Sequence, residues 1–434
     1  MSTNWVIDAN NNGYPYTPDV APLDQSPYPF LFTFYDPKPD IFWHFDETQN
    51  DNYPYRYGRV PLTQSPYPLV FPWYGSADTP ILISNVEELN AVRTNPVAYY
   101  KQVANIDLNV APYNTGTGWT PIPNFTGNYD GGGFTISNLY INNPTGEYLG
   151  IFGNTNTALI IKDLTVSNIN ITGKRYIGGI CGYFSGGGTM TNCKTSGTII
   201  CDWGNSGGLI GYCENVITKC SSSVNISGLV DTTANQVGGL VGASVGNMSR
   251  CFATGTVSTG YKLGGLVGVY YGEMLECYAT GVVTGTSKCG GLIGEVDTSA
   301  TVTRCFTTGN IISTGNGTNI QFGGMFGRGA NVIVVDSYAQ GNITSTGNYC
   351  GGFMGSSQTC TLTNCYSSGI VSSTNTYVGG LIGYQENSTF TSCYYDSTTS
   401  GKSDTGKGEP KTTALMKQAT TFTGWDFNTI WNNV

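Results

Sequence analysis

The sequence predicts an all-β chain wound as a parallel β-helix, and three observations carry that prediction. First, a Gly-Gly-(apolar)-(apolar)-Gly motif recurs, beginning at Gly178, Gly207, Gly238, Gly264, Gly290, Gly323, Gly351 and Gly379. Successive starts lie 29, 31, 26, 26, 33, 28 and 28 residues apart, a period that means stacked supersecondary units. Second, each motif is followed by a cysteine in one register: Cys193, Cys220, Cys251, Cys277, Cys305, Cys365 and Cys393, with Ser337 in the sixth copy. Third, the runs between these landmarks, such as Met274 to Tyr278 and Val282 to Thr284, are too short for helices. Their alternation suits walls with one face inward.

Composition agrees. Only 11% of the 434 residues are charged, against about 25% in typical soluble domains. Gly, at 60 residues, stands near twice its average usage. Asn, Thr and Ser fill the polar positions, which lets exposed strands stack without like charges facing one another. The net charge of −9 comes without any basic cluster, so nucleic-acid binding is not expected. The N-terminal stretch MSTNWVIDANNNGYPY has neither the charged nor the apolar region of a secretory signal. No apolar run reaches the roughly 18 residues that span a bilayer.

Taken in order, residues 1–78 form a Pro- and aromatic-rich module containing a duplication. Ala21 to Asp36 matches Val60 to Gly75 at an offset of 39, and Trp5 to Asp8 matches Trp43 to Asp46 at 38. Proline density excludes long helices and central strands. The module reads as a small self-packed cap, as an anchoring surface, or as both; Trp5, Tyr14, Tyr28, Trp43, Tyr53 and Tyr67 are its candidate contact groups. Residues 79–148 are expected to be an N-terminal cap and first coils. Pro80 to Ile83 reads as a strand, and Ser84 followed by Glu87 as a capping box opening a two-turn helix through Leu89 and Val92. Residues 149–396 are the repeat array. Residues 397–434 read as a linker, Ser397 to Pro410, and a C-terminal cap in which Trp425 and Trp431 cover the last coil.

Each unit would add one strand spacing, about 4.8 Å, so roughly nine coils give a rod near 40 Å long. Equivalent residues then stack, and the cysteines form an inward ladder at a narrow corner. Ser337 fits the ladder if its hydroxyl finds a partner. The paired glycines permit either a turn or close approach of neighbouring walls.

The array resembles the GLUG-repeat family of bacterial surface and phage-associated proteins. The resemblance rests on the Gly-Leu-(apolar)-Gly copies, on VEELNAVRTNPVAYYKQVANIDL and GWTPIPNFTGNYDGGGFTISNLYINN before them, and on CYYDSTTSG to GWDFNTIWNN after them. It implies a right-handed parallel β-helix serving as adhesin or spacer. Some relatives sit in IgA-protease-type metallopeptidases, which need His-Glu-x-x-His. The single histidine, His44, lies in Phe42-Trp43-His44-Phe45-Asp46, so the resemblance carries over the scaffold and not the protease.

One histidine excludes a His-based triad in the array, and no Cys-x-x-Cys pair offers a zinc site. No cofactor or metal is expected, and a reduced thiol ladder is favoured over disulfides. A glycosidase needs two carboxyls about 5–9.5 Å apart. The loop acids Glu214, Glu273, Glu276, Glu295, Asp297 and Glu386 are expected on distant or differently placed coils, with no convergent cluster and little Arg or Lys nearby. The leading reading is therefore a non-enzymatic attachment protein: a phage virion component (tail fibre, receptor-binding or head-decoration protein) assembled in the host cytoplasm and anchored by the N-terminal module. Its partner would be a host-surface glycan or protein, with Tyr212, Tyr270, Tyr271 and Tyr384 as stacking groups; a homo-oligomer is compatible. A bacterial surface adhesin and a polysaccharide-cleaving enzyme are the alternatives.

Overall fold

The computed structural model describes residues 75–228, 236–258, 260–315, 320–373 and 375–431, and before them the backbone of four two-residue strands. The chain divides into two units, Met1–Phe71 and Pro72–Val434.

In the first unit Val6–Ile7 pairs antiparallel with Pro15–Tyr16, and Trp43–His44 with Tyr55–Arg56. Val6 faces Tyr16 in one ladder and His44 faces Tyr55 in the other. Those pairs are equivalent under the 38- and 39-residue offsets, so both copies of the duplication form the same ladder. The side chains of Trp5, Tyr14, Tyr28, Trp43, Tyr53 and Tyr67 lie outside the described residues.

The second unit is a parallel β-solenoid. Each coil crosses four walls in turn, seen in the coil that begins at Lys262. Lys262–Gly264 belongs to a nine-stranded wall A, Val267–Tyr270 to a nine-stranded wall B, and Glu273–Leu275 to a twelve-stranded wall C. Tyr278–Ala279 and Val283–Gly285 then cross an eighteen-stranded wall D. Neighbouring coils pair parallel and in register, so identical positions form columns. On wall C the inward column runs Ile161, Met190, Ile217, Met248, Met274, Val302, Val334, Leu362, and nearly all of it is fully buried. Burying such side chains is worth about 1.5–3 kcal/mol each, and one continuous core runs the length of the rod.

The first end is closed by the expected strand, Ile81–Ile83, and by a helix, Val86–Ala91, that buries Val86 and Leu89. The cap register differs from the sequence expectation by one residue. Asn85, not Ser84, is the N-cap; its Oδ1 accepts from the Glu88 N–H at 2.9 Å, while Glu88 reaches back to the Ser84 N–H at 2.7 Å. The shift sets Val86 and Leu89, spaced three apart, on the inward face.

At the other end the stretch read as a linker adds a rung. Glu409–Lys411 pairs parallel with Tyr394–Asp396, and a one-turn helix, Ser397–Ser400, links them, capped by the Asp396 carboxylate. The Tyr395 ring fills the space over Gly380 that smaller residues occupy in earlier coils. The terminal aromatics do not simply plug the last coil. Phe422, Trp425 and Trp431 run back along wall D, against Tyr394, Tyr366 and Tyr338. The reason is the stack they meet. Phe252, Tyr278, Phe306, Tyr338 and Tyr366 form parallel rings 4.7–5.1 Å apart, and the ring edges make an apolar strip that bulky side chains can cover.

Candidate functional site

Two corners organise every coil, and only one of them is built as the motif implied. Between walls C and D the residue before each ladder position adopts a left-handed backbone. Asp163, Asn192, Lys219, Arg250, Glu276, Arg304, Asp336, Asn364 and Ser392 all have φ between 50° and 55°. The left-handed turn is thus made by polar non-glycine residues, not by the glycine pairs. That geometry costs roughly 1–2 kcal/mol per residue, least for Asn and Asp. The turn leaves the next amide without a ladder partner, and the cysteines supply one. The N–H of Cys193 donates to Cys220 Sγ, Cys251 to Cys277 and Cys277 to Cys305, each at 3.4 Å. Each thiol in turn donates to the carbonyl two residues earlier, as Cys277 does to Leu275 at 3.4 Å. Ser337 reproduces both contacts, accepting from Cys305 N–H at 3.1 Å and donating to the Val335 carbonyl at 2.9 Å. All 13 thiols are free and buried, and burial pushes Cys220 and Cys277 well above the ordinary thiol range.

The GGxxG motif forms the corner between walls A and B through close approach. A Cβ on Gly265 would collide with the Gly291 carbonyl and touch the Ala279 methyl. Across the body, the small residues Ala253, Ala279, Thr307, Ala339 and Ser367 stand opposite successive second glycines, which makes the rod thin there. The third glycine breaks the inward–outward alternation. Val267 and Tyr270 both belong to the core cluster, whereas Val269, though only 2% exposed, lies outside it.

That phase shift creates the candidate site, a groove along the rod where outward side chains of walls A and B meet. The wall A column runs Tyr148, Tyr176, Asn205, Gln236, Lys262, Lys288, Gln321, Tyr349, Tyr377. The wall B column runs Tyr183, Tyr212, Ala243, Val269, Glu295, Arg328, Ser356, Tyr384. They touch across the corner at both ends and at the centre. Tyr176 meets Tyr183 edge-on at 5.5 Å, Lys262 bonds Glu295 at 2.8 Å, and Tyr377 meets Tyr384 edge-on at 5.2 Å.

Two of the four tyrosines singled out from sequence border this groove: Tyr212 stacks on Tyr183 at 4.9 Å, and Tyr384 lies against Tyr349 and Tyr377. Tyr271 follows wall B and lines a hollow with Val245, Glu273 and Thr301. Tyr270 is corrected: it is 0% exposed and belongs to the core, because Gly268 reverses its side. Tyr148, Tyr176, Tyr183, Tyr349 and Tyr377 escaped the sequence reading. Their signal was their fixed spacing from the glycine motif, two residues before its first glycine or one after its last.

The carboxylates are also corrected. Glu295 is not remote from bases; it is 1% exposed and bonded by Lys262, Lys288 and Arg328, and Arg328 also bonds Asp297. Burial opposes its ionisation, but the hydrogen bonds from Lys262 and Lys288 outweigh it and hold the carboxyl below its ordinary value. Arg328 likewise lowers Asp297. Both acids are held as carboxylates, whereas a glycosidase needs one of its pair protonated. Glu276 bridges Arg250 and Arg304 at the left-handed corner, where exposure leaves such bonds worth at most about 1 kcal/mol. Among the described residues no cluster of His, Cys, Asp and Glu suits a metal.

Fold and register together define a parallel β-helix repeat protein. The model of the GLUG motif matches residues 233–258, one copy of the repeat, in line with the resemblance read from the sequence. Halomucin of Haloquadratum walsbyi is 35% identical over 170 residues, which is 35% of this chain and 2% of halomucin. A candidate Gly-rich membrane protein of Evansella cellulosilytica is 33% identical over 105 residues, 23% of this chain and 12% of that protein. The chain thus spans a small part of either relative. Among solved structures, a candidate immunoglobulin A1 protease from Bacteroides ovatus aligns at TM-score 0.41 and 18% identity, over 82% of this chain and 90% of that one.

Proposed function

We propose that the chain is a non-enzymatic structural attachment protein: a β-helix rod held on a surface or assembly through its N-terminal module, presenting its longitudinal groove to a host glycan or protein. The observation that carries this reading is the groove's composition. Half-exposed tyrosines line both ends, and the acids at its centre are locked into ion pairs by Lys262, Lys288 and Arg328. Rings with polar neighbours suit recognition, whereas paired ionised carboxylates do not suit acid–base cleavage. The names of the two relatives, halomucin and a Gly-rich membrane protein, support display at a surface.

A phage virion is the proposed setting, and a bacterial cell surface is the second, which the name of the second relative favours. Mass spectrometry of purified virions and of peptides shaved from intact cells separates them; presence in neither fraction sinks the display reading. Incubating the protein with host polysaccharide and measuring new reducing ends tests the enzymatic alternative. Cleavage that disappears in Glu295→Gln or Asp297→Asn would overturn the non-enzymatic reading.

A further inference from the structure

We infer that the tyrosine cluster at the start of the groove is a binding site for a neutral oligosaccharide. It comprises Tyr148, Tyr176, Tyr183 and Tyr212 with Trp203 and Glu214. The inference gives the attachment reading a ligand class and rests on that reading only for its biological role.

Backbone geometry makes the first argument. Tyr148 and Tyr176 have φ of 59° and 53°, a region that bulky residues avoid, and they are the only aromatic residues there among those described. The coil does not require it. The same column position is filled by Asn205, Gln236, Lys262, Lys288, Gln321, Tyr349 and Tyr377 without positive φ. Strain of this kind persists where a side chain has to be aimed. Here it sets two rings face to face, 4.9 Å apart and 12° from parallel, over the edges of a second stacked pair, Tyr183 and Tyr212.

The polar groups argue for a neutral ligand. Lys174 and Arg175 are both ion-paired with Glu147, at 3.6 and 3.0 Å, and the Arg175 guanidinium lies 4.8 Å from the Tyr176 ring and 5.2 Å from the Trp203 ring. With Asp202 and the exposed Glu214, acids outnumber bases by three to two, so an anionic sugar would be repelled. Glu214 accepts from the Tyr183 hydroxyl at 2.7 Å through one oxygen, and its other oxygen can accept from a sugar hydroxyl. The outer rings of the two stacks, Tyr148, 38% exposed, and Tyr212, whose next column neighbour is the small Ala243, offer the electron-rich faces on which the C–H groups of a pyranose stack, and Tyr176 holds the Tyr148 ring in place.

The test uses the full chain and titration calorimetry with cellohexaose, laminarihexaose, maltohexaose and mannohexaose, with hexagalacturonate as the acidic probe. At least one neutral hexasaccharide should bind. Tyr176→Gly should weaken it tenfold or more while leaving the melting temperature unchanged or raised, because glycine accepts φ near 53°. Tyr176→Phe should retain binding. No neutral probe binding, tighter binding of hexagalacturonate, or affinity unchanged in Tyr176→Gly would each overturn the inference. Adhesion to host cells is scored in parallel. If Tyr176→Gly adheres as well as wild type, the attachment reading stands and this site falls. If wild type adheres to nothing yet binds the sugar, the site stands and attachment falls.

Discussion

Replacing one rung of the thiol ladder tests whether the cysteines are there for their hydrogen bonds or for their bulk. Cys277 accepts the buried N–H of Cys251 at 3.4 Å and donates to the Leu275 carbonyl at 3.4 Å. Cys277→Ala removes the acceptor and strands a buried donor, at a cost of about 1–3 kcal/mol. The missing sulfur leaves a void of roughly 20 Å3, which adds about half a kcal/mol. Cys277→Ser keeps both contacts, as Ser337 does at 3.1 and 2.9 Å in the natural chain, so its loss should stay below about 1 kcal/mol. Urea unfolding under reducing conditions should therefore rank wild type, then Ser, then Ala, with equal slopes. Hydrogen exchange in the 249–255 segment should speed up in the alanine variant alone, since repeat bodies open locally. A ladder kept only for apolar bulk would favour alanine over the more polar serine. An alanine variant as stable as the serine variant would refute the hydrogen-bonded account.

Three further outcomes follow from the same geometry. Glu295→Gln, which leaves Lys262, Lys288 and Arg328 around a neutral group, should lose about 3–5 kcal/mol near pH 7. Because the folded carboxyl lies below its ordinary value of 4.5, its contribution is present above that pH and is lost as pH falls through the folded value; the gap between wild type and variant, measured by chemical denaturation from pH 7 to 3, should narrow in acid. Gly265→Ala, whose Cβ would strike the Gly291 carbonyl, should abolish soluble expression or lower the melting temperature sharply, whereas Gly133→Ala, with open space around it but φ of 79°, should cost about 1–2 kcal/mol. Lys219→Asn at a left-handed corner, φ 55°, should stabilise by a few tenths of a kcal/mol, read as a rise in the urea midpoint.

The repeat itself was written in the chain. Period, glycine register and short β-prone runs give coils whose equivalent residues must stack, because a parallel rung repeats every position one strand spacing away. The thiol ladder followed from the same reasoning, as did the place of Ser337. Other features depend on contacts no local pattern contains. The left-handed corner falls on residues as unlike as Asp163, Lys219 and Glu276, since stacking, not propensity, sets their backbone. Tyr270 and Tyr271 look equivalent in sequence, yet Gly268 turns one into the core and the other outward. The groove is the plainest case. Tyr176 and Tyr183, or Lys262 and Glu295, become neighbours only when the GGxxG corner folds walls A and B against each other. The sequence by itself determined the rod, because periodic burial is a local property repeated. The site was decided by tertiary structure, because it is made of outward side chains that meet only across a corner.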